Sequence, residues 1–255
     1  MPRTDRLSDD ERSRYRRDGY LVMRGVFSVA EMDAIAQWVQ ALAESPEKSA
    51  TVMKYFEDDT VNSGQRILNR IENFVPFHEG FRGVATDGLL VDFVSTLMDE
   101  QACLFKDKIN FKLPGGSGFE PHQDIQAGWG DYADTFISVS LAVDETTVEN
   151  GCLELAAGHH THGLVGRLLE PLSSEELKGI AFEPVLQAAG DVVLFDSYTP
   201  HRSGPNRTSK PRRNLYLTYN KASAGDFRER YFADKRRSFP PDSEREPGKT
   251  YTYRV

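Results

Sequence analysis

Apolar residues between Ser28 and Leu42 fall at Val29, Met32, Ile35, Ala36, Val39 and Leu42, a spacing that predicts a helix with one core-facing stripe. Ser28 followed by Glu31, and Ser8 followed by Glu11, have capping-box spacing, so each serine marks a helix start. Between them Tyr20-Leu21-Val22-Met23 reads as a short strand. A further helix is expected over Leu89–Met98, with Leu90, Phe93, Val94 and Leu97 on one side. From Leu104 onward the period changes. Strands are predicted at Leu104–Leu113, Phe136–Val143, Cys152–Leu155, Val192–Phe195 and Asn214–Tyr219, separated by turns such as Pro114-Gly115-Gly116 and Glu149-Asn150-Gly151. Helices first and strands afterwards, without βαβ alternation, predict a mainly β jelly roll carrying an N-terminal helical layer. The expected layout is one domain over residues 1–255. Its helical layer takes in about 1–100, its β core about 101–222, and an irregular Pro-rich tail about 238–255.

Composition narrows the classes. Apolar residues make up 39% of the chain and charged residues 27%, enough for a buried core. A formal net charge of -8 argues against a nucleic-acid partner, although it does not exclude one basic cleft. Cys103 and Cys152 form no CxxC pair, which speaks against a disulfide framework or zinc ribbon and suits a reducing cytoplasm. The charged N-terminus lacks a signal-peptide apolar stretch, and no run reaches membrane-spanning length. The expectation is a cytoplasmic protein acting on a small molecule, with no nucleic-acid or membrane partner; oligomeric state is not legible.

The candidate chemistry begins at Pro121-His122-Gln123-Asp124. On an extended segment residues i and i+2 share a face, so His122 and Asp124 would project together. Alone the triplet is weak. His201 strengthens it, because Asp191–Asp196 reads as a buried strand delivering His201 to its far end, and two histidines with one carboxylate hold iron(II) while leaving sites open. Arg212, starting another strand, is placed to grip a carboxylate through two parallel N–H bonds. A zinc hydrolase or a cupin-like binding module without turnover would also use the metal triad, but neither needs the arginine. By alternation Lys106, Lys108, Asn110 and Lys112 share one face, either solvated or turned toward anionic ligands, with Lys112 the one that could lie outside. His159, His160 and His162 read as a polar loop, His78 as structural or substrate-contacting, and Cys152 as a small core residue.

Taken together these residues become specific. His122-Gln123-Asp124, Glu149-Asn150-Gly151-Cys152-Leu153, Gly158-His159-His160 and His201-Arg202-Ser203-Gly204-Pro205-Asn206, with Arg212 eleven positions after His201, resemble the phytanoyl-CoA dioxygenase family over nearly the whole chain. Asp18-Gly19-Tyr20-Leu21-Val22 matches its N-terminal strand. The resemblance implies a double-stranded β-helix (cupin-like) fold and an enzyme using iron(II), 2-oxoglutarate and dioxygen to hydroxylate carbon. It implies that His122, Asp124 and His201 are the iron ligands, that Arg212 binds the distal carboxylate of 2-oxoglutarate, and that Ser203 is its hydroxyl partner. Asn110 stands where similar enzymes contact the oxoacid, and Lys108 on the same face is expected to join it. A tryptophan that some members carry is absent, Ser140 standing near its place. Asp124 fills the position that halogenating relatives leave for chloride, so the resemblance implies hydroxylation.

A narrower resemblance bears on substrate. Met53-Lys54-Tyr55-Phe56, Arg70-Ile71-Glu72-Asn73-Phe74 and the run from Lys106 to Trp129 look like family members that hydroxylate aminoalkylphosphonates next to phosphorus. On that reading Lys54, Arg70, Lys106 and Lys108 supply cations for the anion, Gln123 and Trp129 line the site, and an amine rests against Trp129, Tyr132 or Tyr198. The same run is shared loosely with enzymes that oxidise amino acids and amine-containing natural products, which is the alternative.

Overall fold

The computed structural model describes residues 6–251. The expected bounds at 1–5 and 252–255 lie outside the described residues. In chain order the elements are α1 (Asp9–Asp18), β1 (Tyr20–Met23), α2 (Val29–Glu44), β2 (Met53–Asp58), β3 (Arg66–Glu72), α3 (Glu79–Thr86), α4 (Leu89–Met98), β4 (Ala102–Lys112) and β5 (Phe119–His122). Then come β6 (Phe136–Ala142), β7 (Leu153–Leu155), β8 (Glu183–Val185), β9 (Val192–Asp196), β10 (His201–Ser203), β11 (Arg212–Lys221) and α5 (Arg228–Ser238). Both capping boxes form, Ser8 with Glu11 and Ser28 with Glu31. α1 stops at Gly19, whose φ of 79° gives the left-handed turn that glycine takes without strain.

The strands make two antiparallel sheets. Seven lie in the order β1-β9-β6-β11-β4-β3-β2, and four in the order β5-β10-β7-β8. Register in the large sheet sorts side chains by face. Ile71, Ile109, Leu215, Leu141, Val192 and Met23 stand in one row across six strands, each 3% exposed or less. This row meets the apolar stripes of α2, α3 and α4 in one hydrophobic cluster. Fully burying side chains of this size contributes ~1.5–3 kcal/mol each, which makes this face the main source of cohesion. The opposite face carries Arg70, Asn110 and Asn214 in one row and Lys108, Tyr216 and Ser140 in the next. That polar face looks toward the small sheet, where Leu153, Leu155 and Val185 pack with Val193, Phe195 and Tyr216.

The jelly roll with a helical layer is therefore present, but the expected division of the chain is not. β2 and β3 fall inside the stretch expected to be helical, extending the large sheet beyond β4. α5, unassigned from sequence, packs Tyr231 and Phe232 into a cluster with Met53, Tyr55, Phe105 and Trp129. β5, β8 and β10 are three or four residues long, too short for alternation to announce them. After α5 one short 3-10 turn at Asp242–Glu244 interrupts an otherwise irregular tail. Among the described residues no helix is long and apolar enough to cross a membrane.

Candidate metal centre

β5 and β10 are neighbours in the small sheet, and their register sets His201 directly opposite His122, with ring centroids 4.2 Å apart. The expected continuous extended triplet is corrected in one respect. β5 ends at His122, and Asp124 opens a 3-10 turn closed by Gly128 at φ 81°, so the turn carries the carboxylate back toward the histidines. Asp124 Oδ1 lies 3.8 Å from His201 Nε2. One donor atom each from His122, Asp124 and His201 falls within 4.8 Å of the others, and all three residues are buried.

The surroundings fit a metal. His122 Nδ1 lies 2.6 Å from the Glu120 carbonyl and His201 Nδ1 3.0 Å from that of Thr199. Carbonyls only accept, so each Nδ1 carries the proton and each Nε2 offers its lone pair to the centre. Burial, then the neighbouring His201, lowers the pKa of His122. Burial alone would raise that of Asp124, but His201, Lys108 and His122 outweigh it and hold the carboxyl ionised. Ser138 donates to Asp124 Oδ2 at 2.7 Å, orienting the carboxylate from behind. Neutral imidazoles beside an anionic carboxylate are the protonation states a divalent cation requires.

A small cavity opens between the sheets at this cluster. It is lined from the large sheet by Arg70, Lys108, Asn110 and Tyr216, and from the small sheet by Phe119, Leu153, Arg202 and Ser203, with Trp129 at one side. Burial, then Lys106, pushes Lys108 down to about 8. Asn110 Oδ1 and Trp129 Nε1 are buried without a hydrogen-bond partner.

Deeper lie Arg212 and Lys112, each 1% exposed and paired across β11 and β4. The placement of Lys112 outside is thereby corrected: alternation puts it on the inner face with Lys108 and Asn110. Its Nζ donates to Ser203 Oγ at 2.7 Å and to the Gly204 carbonyl, while Arg212 donates to the Gly151 carbonyl. The Gly151 and Gly204 loops meet so closely that a Cβ on Gly151, itself at φ 76°, would sit 2.1 Å from the Gly204 oxygen. Burial, then Arg212, pushes Lys112 down to about 6. Arg213 turns to the other face and is held by Asp144 at 2.8 Å.

Three expected substrate contacts stand elsewhere. Lys54 is buried, but its Nζ caps the end of α2, donating to Ala43 and Ser45 carbonyls. Gln123 is buried as a staple, donating to the Gly163 and Tyr198 carbonyls and accepting from Val165 N–H. Lys106 lies behind the wall, its ammonium over the rings of Trp129 and Tyr231 and 3.8 Å from Glu72. Glu72, fully buried, also holds Lys235 of α5 at 2.6 Å and Arg70 at 2.9 Å. Burial would raise its pKa, but these three cations keep it below the usual carboxylate range. Of the amine-facing rings, Trp129 lines the cavity whereas Tyr132 and Tyr198 do not. His78 proves structural, accepting from Phe81 N–H as the cap of α3. His159, His160 and His162 lie on a half-exposed 3-10 turn. Cys152 is buried as expected.

Sequence reasoning missed Ser138, Tyr216 and Phe119. Alternation along β6 and β11 was the available signal for Ser138 and Tyr216, whereas Phe119 depended on a strand too short to see.

A jelly roll holding a buried two-histidine, one-carboxylate cluster between its sheets, with a buried arginine on the large sheet, defines an iron- and 2-oxoglutarate-dependent dioxygenase. The chain belongs to the phytanoyl-CoA dioxygenase (PhyH) family, whose model matches residues 15–214. It is 40% identical over 234 residues to a methylphosphonate hydroxylase of Gimesia maris, covering 91% of this chain and 88% of that one. It is 37% identical over 247 residues to a 2-aminoethylphosphonate dioxygenase of an uncultured bacterium, covering 96% and 94%. In fold it matches EctD from S. alaskensis, crystallised with 2-oxoglutarate and 5-hydroxyectoine, with a TM-score of 0.72, 23% identity and coverage of 86% and 77%.

Proposed function

We propose that this dioxygenase hydroxylates a short phosphonate at the carbon bearing phosphorus. The observation carrying this reading is the cationic wall beside the triad: Arg70 and Lys108 line the cavity with Asn110, and Asp124 is the one carboxylate among its lining residues. Two cations at close range suit a dianion, each charge-assisted hydrogen bond contributing ~1.5–3 kcal/mol. The two relatives named for phosphonates support the same substrate class.

In this reading His122, Asp124 and His201 hold iron(II), with Ser138 fixing the carboxylate. Arg212 and Lys112, backed by Ser203, hold the distal carboxylate of 2-oxoglutarate, and Asn110 offers its amide along the way. Bound iron(II), with 2-oxoglutarate and dioxygen, supplies the oxidation that converts a C–H bond to an alcohol and releases succinate and carbon dioxide. The chain's own part is positional: Arg70 and Lys108 fix the anion so that the adjoining carbon faces the triad, and the buried walls exclude water. Succinate release across a panel of phosphonates, amino acids and amines, with labelled dioxygen to trace the new hydroxyl, tests it. Turnover of a neutral or cationic compound with no response to any phosphonate would reject the substrate class.

A further inference from the structure

We infer that the cavity selects a short phosphonate whose tail carries no positive charge, because it offers an anion two cations and an ammonium group neither an uncommitted carboxylate nor an uncovered ring face. This inference rests on the phosphonate reading above and sharpens it. An ammonium taken out of water needs a carboxylate or the face of an aromatic ring within about 6 Å to balance its charge, which neutral oxygens such as Asn110 Oδ1 do not do. Three aromatic rings line the cavity, those of Phe119, Trp129 and Tyr216. Each already has a lysine over it. Lys112 Nζ lies 5.4 Å from the Phe119 centroid, Lys106 Nζ 5.3 Å from that of Trp129, and Lys108 Nζ 4.9 Å from that of Tyr216. Phe105 and Phe136 crowd Trp129 further, and Tyr216 is wedged into the packing between the sheets. Tyr132, outside the lining, has Arg230 over its ring.

The carboxylates are likewise committed. Asp124 belongs to the triad, Glu72 lies behind the wall bound to Lys235 and Arg70, and Glu154 is taken by Arg202 at 2.8 Å. An incoming ammonium would instead meet Arg70 and Lys108 at short range, a repulsion that low-dielectric walls strengthen. An anion meets the reverse. Trp129 borders this wall, with its Nε1–H buried and without a partner.

The test compares propylphosphonate with 2-aminoethylphosphonate, which have the same number of heavy atoms and differ in charge only at the tail. On the wild-type holoenzyme, kcat/KM from succinate release should favour propylphosphonate by about tenfold or more, a difference of about 1.4 kcal/mol. Calorimetric Kd values, taken with 2-oxoglutarate and a redox-inert divalent ion, should show the same order. Lys108→Met removes one cation and uncovers the Tyr216 ring, so it should narrow the preference. Equal or better use of 2-aminoethylphosphonate by the wild type would overturn the inference and leave the phosphonate reading standing. Binding of neither phosphonate would overturn both. An unchanged preference in a folded Lys108→Met protein would overturn the assignment to occupied rings; should that variant not fold, the wild-type ratio decides alone.

Discussion

Lys112 and Arg212 stand opposite each other across β4 and β11, both buried, and neither has a carboxylate within ion-pair distance among the described residues. Their hydrogen bonds go to backbone carbonyls, to Asn214 Oδ1 and to Ser203, groups that satisfy N–H donors without balancing charge. Two adjacent buried basic groups cannot both carry charge at low cost unless an anion joins them. On the reading proposed above, the distal carboxylate of 2-oxoglutarate would meet that cost by seating between them.

Arg212→Lys replaces a planar fork with a point charge, and Lys112→Met removes the second basic group. Each should weaken 2-oxoglutarate binding about 10- to 100-fold, the equivalent of ~1.5–3 kcal/mol, by calorimetry in the presence of a redox-inert divalent ion. Arg213→Lys should leave that affinity within about twofold, because Arg213 binds Asp144 on the outer face. The reverse pattern would assign the clamp to Arg213.

Lys112 also makes a pH prediction. Its pKa is about 6 in the fold and that of an ordinary lysine, near 10.4, when unfolded, so between these values the unfolded chain binds more protons. Stability of the protein without 2-oxoglutarate should therefore gain a rising contribution from about pH 6 toward pH 10, and Lys112→Met should flatten that part of the slope. Urea midpoints across the range check it. A Lys112→Met slope identical to wild type would show that Lys112 is already charged in the fold.

Removing either histidine of the triad by His122→Ala or His201→Ala should abolish stoichiometric iron binding while the thermal transition persists. Ser138→Ala should weaken iron binding only about 10- to 100-fold, since it orients Asp124 without replacing it. Metal titration separates the two outcomes, and full affinity in Ser138→Ala would remove its orienting role.

Lys54→Met should leave the KM of the substrate unchanged and lower stability by about 1–3 kcal/mol, because the ammonium satisfies two carbonyls at the end of α2. Chemical denaturation with steady-state kinetics reads both. A raised KM with unaltered stability would return Lys54 to the substrate site.

The sequence by itself determined the elements whose signal is local. Capping pairs at Ser8 and Ser28 fixed two helix starts, strict alternation from Lys106 to Lys112 sorted β4 into two faces, and the spacing of His122, Asp124, His201 and Arg212 named the candidate centre. Only the tertiary structure decided which of several buried cations meets the cavity. Lys54, Arg70, Lys106, Lys108 and Lys112 are alike as residue types, and their roles depend on partners remote in sequence: the end of α2, Glu72, the Trp129 ring, the Tyr216 ring and Ser203. β2, β3 and α5 escaped for the same reason. Their stability comes from pairing and burial against distant elements, and such long-range contacts leave no periodic trace along the chain.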